Sequence, residues 1–461
     1  MKRIWFMVLS SLILVAGCEQ KKEIPKIDEE ITPATAVQLT VPQAKSIFNE
    51  PMPAHTFELP SAALQVWRHT RSVKPALVLL SIHPFLDPIA TERKNDITDL
   101  IRTGDADIFR RRGSYYRVNP ALVPTQALSA AINNELFSEL IWVTPTRAGI
   151  DEISLEVLRD QLVNAGFLSE AEGESLFYAD GVTSGTVRGL PFRAVHPDAM
   201  PELDKPIVLH IDTGYFKGLF KNEVATPLYD ILHQTVQRIM QNEWQVYATT
   251  LSWSTEELMF SLDVRFIITA LAKMIEDPNL LQNMPQGWKL HADAMYMGNM
   301  YMESKAQDLI AEAAIAAPDD PTIVYALSRI RFQQGRADEA FTLLDKAMQL
   351  DHGYAAAYLQ LADTNIKNGH LKKALELLRK AIKAYPENPF LKIREADILI
   401  RMKQTDQAIT AINGLQLLPW SPYFHGNAAA NLNDMAEYAR NPEAAEAAAP
   451  TPAPQTGQEK K

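Results

Sequence analysis

The sequence predicts an α/β domain in three layers around a mostly parallel sheet, followed by an all-helical repeat domain. Three observations carry this. Four short apolar runs, 76–80, 140–143, 207–211 and 247–251, alternate with helical patterns such as Ile153-Leu155-Leu158-Leu162 and Leu228-Ile231-Leu232-Val236-Ile239. Such runs suit strands buried on both faces, and their alternation with helices suits a parallel sheet. From 287 to 422 the pattern is wholly helical and repeats every 34 residues: Gly335 with Gly369, Ala340 with Ala374, Leu344 with Leu378, Ala347 with Ala381. A fixed period of that length marks a solenoid of helix pairs. Ahead of both domains, Lys2 and Arg3 precede an apolar run that ends at Cys18, the single cysteine.

The start reads as an export signal: a basic end, about a dozen apolar residues and small residues at the cut. A bilayer-spanning helix needs roughly 20 residues. Leu14-Val15-Ala16-Gly17-Cys18 resembles the lipobox of bacterial lipoproteins. The resemblance implies removal of residues 1–17 and acylation of Cys18, so that the membrane is one partner. Glu19 stands where an inner-membrane retention signal often has Asp, which favours the outer membrane, facing the periplasm. One cysteine forms no disulfide within the chain, so packing supplies the stability. A formal net charge of −11 argues against nucleic acid as a partner.

Residues 18–60 read as a flexible tether, broken by Pro25, Pro33, Pro42, Pro51, Pro53 and Pro60 and kept wet by lysines and acids. At the other end, 441–461 is mostly Ala, Pro, Glu, Gln and Lys, a composition too poor in large apolar groups to fold.

The α/β domain is expected over 61–285. Chemical motifs are scarce there, and Thr183-Ser184-Gly185-Thr186 reads as a loop. Arg110-Arg111-Arg112 reads as a solvated basic turn. His83 follows the first apolar run, and His210 and Asp212 lie two apart in the third, on one face of an extended strand. The order of these pieces resembles the ureohydrolase-like families of arginase, agmatinase and deacetylase type. That family carries Asp-x-His-x-Asp and Asp-x-Asp segments that hold two metal ions. Here Ser81-Ile82-His83-Pro84-Phe85 keeps the histidine and loses both aspartates, and His210-Ile211-Asp212-Thr213-Gly214 keeps one acid. The resemblance therefore implies a degenerate site, with no cofactor expected. A single divalent metal such as zinc on His83, His210 and Asp212 is the alternative, because two histidines and one carboxylate can form a catalytic site.

The repeats resemble tetratricopeptide repeats (TPR). Units 321–354 and 355–388 match at many positions, although His352 replaces the usual proline. Units 287–320 and 389–422 match less fully, and Lys403 falls where the turn glycine belongs. A capping helix is expected within 423–440, at 428–440. Such repeats imply a concave groove for a protein partner. Its wall is expected to show Tyr325, Arg329, Phe332, Asp363, Ile366, Lys367, Ile400 and Arg401, which suit an extended peptide bearing an acidic group. Met295, Met297, Met300 and Met302 are expected to pack between domain and repeats. The function expected is that of a membrane-anchored scaffold. The rivals are a metal-dependent hydrolase of C–N bonds and a ligand-sensing protein.

Overall fold

The structure, a computed structural model, describes residues 40–145, 154–253 and 261–441. The leader, Cys18, the tether up to residue 39 and the tail from 442 lie outside the described residues.

Nine strands form one mixed sheet among the described residues: β1 (Lys45–Ser46), β2 (Ala54–Phe57), β3 (Ala76–Leu80), β4 (Glu139–Val143), β5 (Phe177–Ala179), β6 (Val182–Val187), β7 (Leu190–Val195), β8 (Ile207–Asp212) and β9 (Gln245–Ser252). Their order is β1-β9-β8-β3-β4-β7-β6-β5, and β2 also pairs with β9. The centre is parallel: β2, β9, β8, β3, β4 and β7. The two wings are antiparallel.

The sheet divides two cores. Val78 and Leu80 of β3 face α3 (Thr213–Leu219), α4 (Leu228–Gln241) and α5 (Phe266–Glu276). Leu77 and Leu79 face the opposite layer, which includes α1 (Lys94–Thr103) and α2 (Ala127–Asn133). All five residues of β3 are buried, which explains its unbroken apolar run.

The tether reading fails over 40–60. β1 and β2 both join β9, and Ile47, Phe48, Met52 and Leu59 are buried. Pro51 and Pro53 precede a short strand at the sheet's margin, where a missing N–H is tolerated. The loop reading of 183–186 also fails, since these residues lie within β6. Asp180-Gly181 and Arg188-Gly189, all with positive φ, close two-residue hairpins on either side of it. Arg110–Arg112 form the end of a short helix capped by Asp105, not a turn. Arg110 pairs with Asp107 and with Glu387 of the repeats. Cations at a helix C-terminus also oppose the helix dipole.

The helical half comprises α6 (Gln286–Asn299), α7 (Glu303–Ala316), α8 (Pro321–Gln333), α9 (Ala337–Leu350), α10 (Ala356–Lys367), α11 (Leu371–Ala384), α12 (Pro389–Arg401), α13 (Thr405–Gln416) and α14 (Ala428–Arg440), the last packed on α13. Within each pair the turn needs a left-handed residue. Tyr301, Gly335, Gly369 and Lys403 supply it at φ of 58°, 73°, 79° and 59°, spaced 34 apart. Of the methionines, Met295 packs on the α/β core, whereas Met300 and Met302 are exposed at the α6–α7 turn. The packing expectation fails for those two because they lie at the turn, beyond the helix face that meets the domain.

Candidate functional site

In an open α/β sheet, ligands bind outside the carboxyl ends of strands where the strand order reverses. Here that point lies at β3 and β8. From β3 the chain builds towards β4 and β7, then returns to β8 on the other side. His83, His210 and Asp212 all fall at this end.

The structure joins two of them. His210 pairs in register with Thr250, and Asp212 with Ser252. The His210 Nδ1 lies 2.9 Å from Thr250 Oγ1, and its Nε2 lies 3.2 Å from Ser252 Oγ. Ser252 donates to Asp212 Oδ2 at 3.0 Å, and the Gly214 amide donates to Oδ1 at 2.7 Å. Trp67 Nε1 donates to Thr250 at 3.0 Å. His210 and Ser252 have no solvent exposure, and Asp212 has 2%.

Burial pushes the His210 imidazole down to about 3, so it is neutral. Burial pushes the Asp212 carboxyl up to about 6, against the bonds from Gly214, Ser252 and Ser81 that favour its charge. The cluster is a hydrogen-bonded strut, closed to solvent and with both imidazole nitrogens engaged.

His83 does not join it. Its Nδ1 accepts from the Phe85 amide at 2.9 Å, and its ring packs on Phe167 and Phe85. Phe85, fully buried, also packs edge-on against His210. Among the described residues, no group of three or more His, Cys, Asp or Glu side chains is placed to hold a metal ion. The structure does not bring His83 to His210 and Asp212: the hydroxyls of Thr250 and Ser252 and the Phe85 ring lie against His210 instead. Thr250 and Ser252 carry a signal in the sequence, since their i, i+2 spacing matches that of His210 and Asp212.

The second region is the repeat face. A short 3-10 turn, Leu262–Val264, lies against the start of the inner surface. Leu262 is buried among Val324, Tyr325 and Tyr354, and Asp263 pairs with Arg329. Tyr325, only 7% exposed, is core rather than groove wall, and burial pushes its hydroxyl up to about 12. Phe332 packs edge-on against Phe341, 5.0 Å between ring centres.

Further along, Asp363 pairs with Arg394, and Arg401 lies 3.9 Å from Asp397. Lys367 is exposed and makes no ion pair or hydrogen bond among the described residues. Ile366 and Ile400 are half-buried, 34 apart on α10 and α12, each followed by a cation, Lys367 or Arg401.

The repeats are also tied to the α/β domain by polar contacts. Arg265 bonds Asp351 and Glu58. Tyr229 Oη lies 3.0 Å from His291 Nδ1. At the far end the Ser421 amide donates to the Val118 carbonyl, and His425 Nε2 lies 2.9 Å from the Tyr115 carbonyl.

Residues 321–387 match a family model of the tetratricopeptide repeat, and residues 366–418 match a second. No curated protein matches the chain. Repeats of this family generally mediate protein–protein interaction.

Proposed function

We propose that the chain is an exported scaffold, held to the membrane by acylated Cys18, that binds a partner protein on the inner face of α10 and α12. The carrying observation is that face: tetratricopeptide units with an apolar pair, Ile366 and Ile400, flanked by Lys367 and Arg401. Apolar anchors beside cations suit an extended segment with acidic side chains. The first unit contributes less, because Leu262 packs with the buried Tyr325 and Asp263 already pairs with Arg329, which stays exposed.

The α/β domain acts as an inactive, ureohydrolase-like support in this reading. Its histidine–aspartate cluster is buried and fully hydrogen-bonded, and it carries no ligand set for two metals among the described residues. Attachment at Cys18 and an outer-membrane location facing the periplasm rest on the leader and the lipobox-like residues alone.

The test is partner recovery with a tagged chain. The Lys367→Glu, Arg401→Glu double variant is expected to lose the bound protein; equal recovery would contradict the reading. Metabolic labelling with an alkynyl fatty acid checks the anchor, with signal lost in Cys18→Ser.

A further inference from the structure

The first helix pair turns differently from the other three. Between α6 and α7 the chain runs Met300-Tyr301-Met302. The same three places in the following pairs read Gln334-Gly335-Arg336, Asn368-Gly369-His370 and Met402-Lys403-Gln404. Those turns are small or polar except at Met402, which is half-buried against the repeat core. The first turn is apolar and bare: Tyr301 is 86% exposed, Met300 and Met302 are 46%, and Tyr296, one turn back on α6, is 39%.

Tyr301 holds its place at φ 58°, a left-handed conformation that is unfavourable for a bulky side chain. So exposed a ring recovers little of that cost by packing. Strain kept where packing does not demand it, on an exposed apolar patch, points to a role outside the fold. Charge is absent too. From Ala294 to Met302 no residue is charged, in a chain of formal net charge −11. An acidic lipid surface repels such a chain as a whole but not this turn.

α6 packs through Ala292 and Met295 on the core that also holds Ile47 and Phe48, just after β1. The start of the described fold and α6 therefore share one face of the sheet. Covalent geometry limits residues 18–40 to a span of roughly 75 Å at most, so a bilayer holding an acylated Cys18 stays close to the fold. We propose that the α6–α7 turn inserts into the lipid headgroup region, with Tyr301 and its flanking methionines as the apolar tip. Tyrosine suits that depth, because its ring is apolar and its hydroxyl stays wet. So small a tip binds weakly alone and acts once a tether raises its local concentration. Its insertion orients the repeats over the bilayer. The inference rests on the acylated Cys18 of the scaffold reading. Its test supplies the tether artificially, so the two fail separately.

The chain from residue 18 on, with Cys18→Ser and an N-terminal hexahistidine tag, is held on vesicles. These contain phosphatidylethanolamine, phosphatidylglycerol and a nickel-chelating lipid. An NBD fluorophore on Asn299→Cys, the one thiol then present, reads the turn. Its emission should rise on tethering and be quenched by brominated lipid. The same fluorophore on Gln333→Cys, the matching exposed place in the next pair, should show neither change. Adding Met300→Gln, Tyr301→Gly and Met302→Arg copies the next turn and gives the left-handed position a glycine, which folding favours. That variant should lose the response while circular dichroism shows an intact fold. No rise at 299, an equal rise at 333, or a response that survives the three substitutions would overturn the proposal. A rise that grows with protein concentration in the absence of vesicles would also overturn it, because a second copy would then cover the turn.

Discussion

Arg265 donates to both carboxylate oxygens of Asp351, at 2.5 Å from Nε and 2.8 Å from Nη2, and so fastens the α/β domain to the repeats. The guanidinium also sits 3.9 Å from the centre of the Trp253 ring and bonds Glu58. It is 2% exposed, and its two partners differ: the Asp351 side chain is 16% exposed and that of Glu58 is 50%. A buried pair broken on one side costs about 3–5 kcal/mol, whereas an exposed partner contributes about 1 or less. Denaturant unfolding should therefore show a loss near about 3 kcal/mol for Asp351→Ala and under about 1 kcal/mol for Glu58→Ala. Equal losses would mean that Asp351 is not the principal tie.

Gly353 checks the same junction by shape. A Cβ there would lie 2.0 Å from Arg265 Cζ. Gly353→Ala should lower the melting temperature by forcing the guanidinium off its two carboxylates. A melting temperature equal to wild type would show that the contact is slack.

The four left-handed turn residues predict opposite effects from one backbone demand. A side chain in this conformation costs roughly 1–2 kcal/mol, offset in part by the entropy glycine loses on folding. Lys403→Gly and Tyr301→Gly should stabilise the repeats by up to about 1 kcal/mol. Gly369→Ala should destabilise them by a similar amount. Thermal unfolding of the three variants reads the signs directly.

Asp212 gives a pH signature. Its folded pKa of about 6 lies above the unfolded 3.8, so its contribution is fully present below 3.8 and fades as pH rises through 6. The shift corresponds to about 3 kcal/mol. His210 runs the other way: lowered from 6.5 to about 3, it contributes fully above 6.5 and loses its effect as pH falls towards 3. Asp212→Asn removes only the first effect. Its stability relative to wild type should rise between pH 4 and 7, measured by denaturant unfolding at each pH. A flat difference would show that the carboxyl is not isolated from compensating charge.

The central strands and the repeats were legible because one physical demand repeats along the sequence. β3, β4 and β8 hold short apolar runs, β9 carries the buried stretch 248–252, and the 34-residue period fixes each helix pair. The wings were not legible for local reasons. β1 and β2 are short and proline-flanked, so Ile47, Phe48 and Met52 look isolated until β9 gathers them. β6 is polar and contains Gly185, so the Asp180-Gly181 and Arg188-Gly189 turns that close its two hairpins carry the signal instead.

At the candidate site, strand parity placed His210 and Asp212 on one face, but it could not show Phe85 turning its ring onto His210. The groove was misread at Tyr325, because the residue that packs on it, Leu262, comes more than sixty residues earlier in the chain; Arg329 is exposed but already paired with Asp263.

Site-specific photo-crosslinking in the native cells tests the central claim most directly. A benzophenone side chain at position 367, on the inner face, should capture one partner protein. The same group at position 315, where Ile315 is 83% exposed, should capture none. Capture at 315 without capture at 367 would contradict the account.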